Sequence, residues 1–503
     1  MRTHFLLLLF VVAGLFRCVA AQGSARPGDD VPPGYAIVVQ EEVAKNPEWR
    51  KVCEALVSRH PGAELVMWDK EIEDALPKLR SLHPAFTCFV APCTEVGPKV
   101  VAAIHRLTRR YDDDAYTDTR WGILTGYDAA TALELARFDK PIVVKRVSSG
   151  TAFAMEMVDE GIAYDELVAN KVVKKLGGAG KAVRSHCATD TTKLLADTLT
   201  DWNADLFITS GHGFKRGWQI GFRYKNGSFG STDGRLLGKP SNGEQFEIRS
   251  DHPRVYLPIG NCLIGCIEDK DAYAIAMMKS AGVKGMIGYT VPTWYGYAGW
   301  GCLDYFLEQP GRYTLNQAFL ANQLALVHRL ESAFPGAGKF SPEPGRVVRK
   351  GIPELSAHGK KAGVKPSDFS GLLHDRDTLA YYGDPALDAR MDPRLCAYGQ
   401  KLERDGDVYT LTVAGRRGGK SFAPVDTNGS QRGGRPIVAF LPNRIGKAEV
   451  LEGGEWSPVI ADDFILVPNP GEGEGIKVRF RAKAAAKAAA SGTPRAEKGQ
   501  EAE

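Results

Sequence analysis

The stretch Val255–Cys266, "VYLPIGNCLIGC", is a mostly apolar run that breaks at Gly260, passes Asn261 and delivers Cys262 where a strand ends. About fifty residues earlier, "DLFITSGHGF" (Asp205–Phe214) does the same with His212. Short apolar runs bounded by turn residues read as strands buried on both faces, the kind a parallel sheet uses. In such a sheet, ligands and reacting side chains gather at the carboxyl ends of the strands. His212 and Cys262 therefore read as one site. Gly211, Gly213, Gly260 and Gly265 surround the pair and let backbone approach a ligand closely.

The rest of the chain supplies the sheet. "YAIVVQ" (35–40), "ELVMWD" (64–69), "FTCFVAP" (86–92) and "WGILTGY" (121–127) alternate with helical patterns. A second series begins at "PIVVKRV" (141–147) and includes the His and Cys runs and "VKGMIGYT" (283–290). The long amphipathic pattern "LNQAFLANQLALVHRL" (315–330) follows. Alternation of this kind predicts an α/β fold of two tandem subdomains with mostly parallel sheets. After Arg394, short strand-like runs between Gly, Pro and Asn turns predict a small β-sandwich. The expected organisation is a signal peptide (1–21), an N-terminal α/β subdomain (22–139), a catalytic α/β subdomain (140–398), a β-sandwich (399–480) and a low-complexity tail (481–503).

The N-terminus has Arg2, the apolar core "FLLLLFVVAGLF" (5–16) and small residues at Val19–Ala21, the pattern of a cleaved export signal. A secreted or periplasmic location is expected, with no integral membrane segment in the mature chain. The net charge of +4 falls to +2 when Arg2 and Arg17 leave with the signal. No basic stripe is present, so nucleic acid is not an expected partner. Eight cysteines remain outside the signal, too sparse for a disulfide scaffold.

A thiolate beside an imidazole is an activated nucleophile. The oxyanion it creates needs two donors, for which the backbone N–H groups of Gly213 and Cys262 stand in place. Three other readings remain open at this stage. Cys262 is a structural thiol at a strand end; Cys262, Cys266, His252 and His212 form a zinc site; or Cys262 and Cys266 form a disulfide. A non-catalytic exported binding protein is the alternative function.

The His-Gly and Cys segments, Cys262-Leu-Ile-Gly265 and "YYGDPALDARM" with Gly383, Asp384 and Pro385 resemble the gingipain family of caspase-fold cysteine peptidases. The resemblance spans about residues 35–480. Asn261 stands where caspases proper have alanine. It implies a cysteine-type endopeptidase acting on protein or peptide substrates, with His212 and Cys262 as the dyad and Gly213 as an oxyanion donor. No cofactor is required for catalysis, and a structural Ca2+ is possible. It also implies a pocket acid wherever basic P1 residues are selected. Glu156, Asp159, Glu160 and Asp165 lie in the plausible region, and each also reads as a solvated charge. Asp205 precedes the His strand at the end away from His212.

In the caspase fold the segment after the strand that follows the Cys strand borders the substrate pocket. Here it is "GYTVPTWYGYAGWG" (288–301), whose Thr290, Trp294 and Tyr295 are the expected pocket residues. The same aromatics also read as a core cluster. "DDDAYTD" (112–118) reads as a solvated acidic loop or a Ca2+ site. Asn226 and Asn428 begin Asn-Gly-Ser sequons.

Overall fold

The structure is a computed structural model in which residues 34–178 and 180–485 are described. The expected signal peptide and the end of the tail lie outside the described residues. The frame is one twelve-stranded sheet. Its strands in chain order are β1 (Tyr35–Gln40), β2 (Glu64–Trp68), β3 (Phe86–Val90), β4 (Arg120–Leu124), β5 (Arg146–Ser149) and β6 (Glu160–Tyr164). Then come β7 (Lys171–Lys175), β8 (Val183–His186), β9 (Leu206–Gly211), β10 (Arg254–Asn261), β11 (Val283–Tyr289) and β12 (Leu379–Tyr382). Across the sheet they lie in the order β2-β1-β3-β4-β12-β11-β10-β9-β5-β6-β7-β8.

Pairing is parallel except where β12 meets β11 and in the β6-β7-β8 ladder. β12 runs with β4 and against β11. The two series of strands therefore share one sheet but point in opposite directions. The carboxyl ends of β9, β10 and β11 lie along one edge, and those of β1, β3 and β4 along the other.

The seam is held by Asp384 of the Gly-Asp-Pro stretch. Its carboxylate accepts from Tyr35 Oη at 2.9 Å, His60 Nε2 at 2.7 Å and the Ala386 N–H at 2.8 Å, and pairs with Arg59 at 3.1 Å. That motif ties the two halves together, far in the fold from Cys262.

Helices α1 (Pro47–Arg59), α2 (Pro98–Thr108) and α3 (Ala129–Arg137) accompany the first series, and α4 (Thr192–Thr200) and α5 (Tyr273–Ser280) the second. The helices α6 (Tyr297–Phe306) and α7 (Leu315–Ala333) follow. The α7 pattern looked one-faced, but the helix is buried on nearly every side. Two of its polar core residues are bonded through their amide N–H groups: Asn316 Nδ2 donates to the Trp121 carbonyl at 2.9 Å and Asn322 Nδ2 to that of Ala298 at 2.5 Å, while the buried Gln323 amide has no partner among the described residues.

Between β9 and β10 the chain builds a separate five-stranded antiparallel sheet over residues 213–248. Its hairpin at Asp233-Gly234 has both residues at positive φ, the geometry that a right-twisted two-residue turn demands.

The C-terminal part is two facing antiparallel sheets of four and three strands. Tyr409, Leu411, Val413, Ile437, Ile465, Val478 and Phe480 fill the space between them. In the three-stranded sheet the alternate residues Val438, Phe464 and Leu466 belong instead to the large α/β core. That sheet is buried on both faces, which is why "PIVAF" and "FILV" are apolar without alternation.

Candidate active site

Strands β9 and β10 pair in parallel, with Gly211 opposite Asn261. A bulge takes up Ile259, so that Thr209 faces Pro258 but Ser210 faces Gly260. Bulges re-aim strand ends and are frequent beside active sites. The next residues on the two strands are His212 and Cys262, and neighbouring strands lie roughly 4.8 Å apart. A Cβ on Gly213 would sit 2.5 Å from the Cys262 carbonyl oxygen, so glycine there allows the two ends to touch.

Asn261 fastens the ends. Its side chain is fully buried, accepts from Thr209 Oγ1 at 2.6 Å and donates to the Gly211 carbonyl at 3.0 Å. After Cys262 the chain turns sharply. Leu263 has φ +60°, a left-handed conformation that costs a branched residue on the order of 1–2 kcal/mol. Such strain concentrates at functional sites. The turn is anchored by Leu263 N–H to the Val291 carbonyl at 3.3 Å and Gly265 N–H to that of Tyr289 at 2.9 Å.

Cys262 is partly buried, and its Sγ lies against the backbone of Thr293, 3.3 Å from the N–H and 3.5 Å from the carbonyl oxygen. His212 is exposed and lies tilted against Phe222 with ring centroids 4.8 Å apart. No hydrogen bond joins His212 to Cys262 among the described residues. Gln219 N–H donates to the His212 carbonyl at 3.0 Å. That makes His212 and Gln219 the bonded pair of their ladder, so the next pair, Gly213 and Trp218, turn their N–H groups away from each other.

The aromatic segment divides. Thr290 is fully buried, with its N–H and Oγ1 both donating to the Thr378 carbonyl at 2.9 Å, so it roots the segment. Tyr295 is buried against Gly371. Trp294 is 51% exposed and rests on His374 at 5.7 Å and Tyr295 at 5.9 Å. It borders the strand end that carries Cys262 without being part of the core.

The four acids considered for a pocket have other partners or none. Asp159 pairs with Arg394, Glu160 accepts from the Gly177 N–H, Asp165 caps its own turn and pairs with Lys171, and Glu156 is exposed. Sequence reading missed their neighbour Glu166. It is 9% exposed, Oε1 accepts from Thr151 Oγ1 at 2.7 Å, and Oε2 has no hydrogen-bond partner. Oε2 lies 3.6 Å from where a side chain on Gly211 would begin, next to His212. Burial pushes this carboxyl above its ordinary range. The Asp165-Glu166 pair ending a strand was the available signal.

Asp205 does lie at the far end of β9, where it accepts from His252 Nε2 at 2.8 Å and from the N–H groups of Lys145 and Arg146. His252 is thus engaged away from Cys262, and Cys262 and Cys266 are both free thiols. Burial pushes the Cys266 thiol up to about 11. Asp112, Asp114 and Asp118 do gather, with carboxylate oxygens within 4.8 Å of one another. Each also accepts a backbone N–H inside its own loop, which accounts for the gathering.

No protein-family model and no curated protein sequence matches the chain. A solved structure described as a complex of Porphyromonas gingivalis RgpB pro- and mature domains is similar to it at 11% identity, covering 87% of this chain and 94% of that one, with a TM-score of 0.36. A superposition that loose says nothing about chemistry.

Proposed function

We propose that the protein is an exported cysteine endopeptidase. The observation that carries this reading is the β9–β10 register, which ends two adjacent strands in His212 and Cys262. In the proposed reaction His212 takes the Sγ proton and the thiolate attacks the scissile carbonyl carbon. The N–H groups of Cys262 and Gly213 hold the oxyanion. The C–N bond breaks as His212 returns the proton to the leaving amine, leaving a thioester on Cys262. Water, deprotonated by His212, then attacks the thioester carbonyl, the C–S bond breaks to free the acid, and the Cys262 thiolate takes the proton back from His212. Catalytic hydrogen bonds are often long before substrate arrives, which accommodates a His212 ring resting on Phe222.

Glu166 is the proposed pocket acid, selecting a basic P1 side chain, with Trp294 as an exposed apolar wall. The second reading, a binding protein that retains the fold without turnover, draws on the missing His212–Cys262 hydrogen bond. Incubation of the mature protein with a random peptide pool under reducing conditions separates the two. The peptidase reading predicts new termini after basic residues, lost in Cys262→Ala and His212→Ala. An uncut pool leaves the binding reading.

A further inference from the structure

The connection Val425–Gly434 of the β-sandwich does not stay with its own sheets. Asn428 Nδ2 donates to Thr151 Oγ1 at 2.9 Å and to the Ala152 carbonyl at 3.3 Å. Thr151 Oγ1 is the donor to Glu166. Ser430 Oγ donates to the Tyr295 carbonyl at 3.0 Å, on the segment that carries Trp294. A Cβ on Gly429, at φ +100°, would meet the Trp300 ring at 2.3 Å, and the same ring lies 3.0 Å from a Cβ placed on Gly260. One loop thus touches the Glu166 side, the aromatic segment and, through Trp300, the end of β10.

The loop is clamped by Asp304 of α6 and by Glu308 just after it. Asp304 accepts from Arg432 Nε at 2.6 Å, Arg435 Nε at 2.8 Å and the Gly433 N–H at 3.1 Å. Glu308 accepts from the N–H groups of Val425 and Asp426 and pairs with Arg432, whose other arm holds the Asn428 carbonyl at 2.8 Å. All four charged side chains are nearly buried. Buried, multiply bonded ion networks of this kind fix a geometry.

We infer that this loop is the closing wall of the substrate pocket and that Asn428 positions Glu166 through Thr151, making the β-sandwich part of the site. The inference rests on the reading of Glu166 as pocket acid and does not need turnover. Glu166 also faces Asn428 itself, Asp165, which is paired with Lys171, Tyr224 and Ser210, with His212 beyond Gly211. Donors to a carboxylate favour its charged form. Removing them should move cation binding to higher pH.

The test uses the full chain carrying Cys262→Ala and the amidinium probe benzamidine, with calorimetry across pH 5–8. The parent should bind, and Glu166→Gln should not. Asn428→Ala should weaken binding roughly tenfold at low pH, as loss of a charge-assisted hydrogen-bond chain does, and raise the pH midpoint of binding. Thr151→Val, on the other side of the contact, should do the same, and the double variant should be little worse than either. A parent that does not bind, or an Asn428→Ala or Thr151→Val protein of normal melting temperature with unchanged affinity and midpoint, overturns the inference. Failure of the dyad would appear separately, as an unreactive Cys262 in the wild-type chain.

Discussion

Asn261 bridges two strand ends that the ladder alone would leave loose after the bulge. Asn261→Ala takes the side-chain donor from the Gly211 carbonyl and one of two partners from the buried Thr209 hydroxyl, which keeps Tyr256 Oη at 2.8 Å. It should cost roughly 1–3 kcal/mol, read as a lower denaturation midpoint, with a fall in kcat as His212 loses its footing. Trp294 makes the opposite case. The sequence allowed this aromatic to be core, where its removal would cost several kcal/mol. Being half exposed, Trp294→Ala should change stability by less than about 1 kcal/mol and lower kcat/KM on peptides. A large loss of stability with unchanged kcat/KM would show that the ring is structural. His212 and Cys262 were legible because glycines and strand ends mark them locally. Glu166 and Asn428 were not, because what marks Glu166 is burial and what marks Asn428 is a partner 277 residues away.

At the scale of elements, α2 carries a buried titratable group. His105 Nε2 donates to the Leu379 carbonyl at 2.8 Å, and the ring sits edge-on to Trp121 with Nδ1 unpartnered. Burial lowers it to about 4, and His328 on α7 is lowered to about 4 for the same reason. A depressed histidine stays neutral in the fold while the unfolded chain takes up a proton below about 6.5. The contribution of each is therefore full above pH 6.5 and is lost progressively toward pH 4, on the order of 3 kcal/mol for a shift of this size. Urea titrations at pH 7 and pH 4.5 should show the loss, and His105→Gln should flatten it; an identical slope in that variant would rule His105 out as a source. The strands of the main sheet were largely legible from apolar runs, with one instructive exception. "PIVVKRV" reads as one strand but splits at Lys145, where Asp205 captures two successive backbone N–H groups. Its first half, Ile142–Val144, leaves to pair with Ala389–Met391. The Asp233-Gly234 hairpin carried a readable turn signal within a region that otherwise lacks alternation.

Across the whole molecule, the β-sandwich and the α/β unit share apolar surface through Val438, Phe464 and Leu466, and Tyr305 and Tyr313 donate to the carbonyls of Pro436 and Val438. A chain ending at residue 398 should therefore lose soluble expression, whereas an independent sandwich would leave it folded. Melting of the full chain should be a single transition. The short strand-like runs after Arg394 marked a β-rich C-terminal part; they gave no sign that one of its sheets is buried on both faces, since apolar runs do not say what covers them. The paired strand ends of β9 and β10 remain the centre of the account, and the reactivity of Cys262 measures them most directly. Native full-length protein is treated with limiting iodoacetamide at pH 7 and the modified cysteines are mapped by mass spectrometry. Rapid alkylation of Cys262 ahead of the buried thiols is expected, slowed at least tenfold in His212→Ala, because an imidazole partner supplies the thiolate. Alkylation of Cys262 no faster than that of a free thiol, and unchanged by His212→Ala, would contradict the dyad.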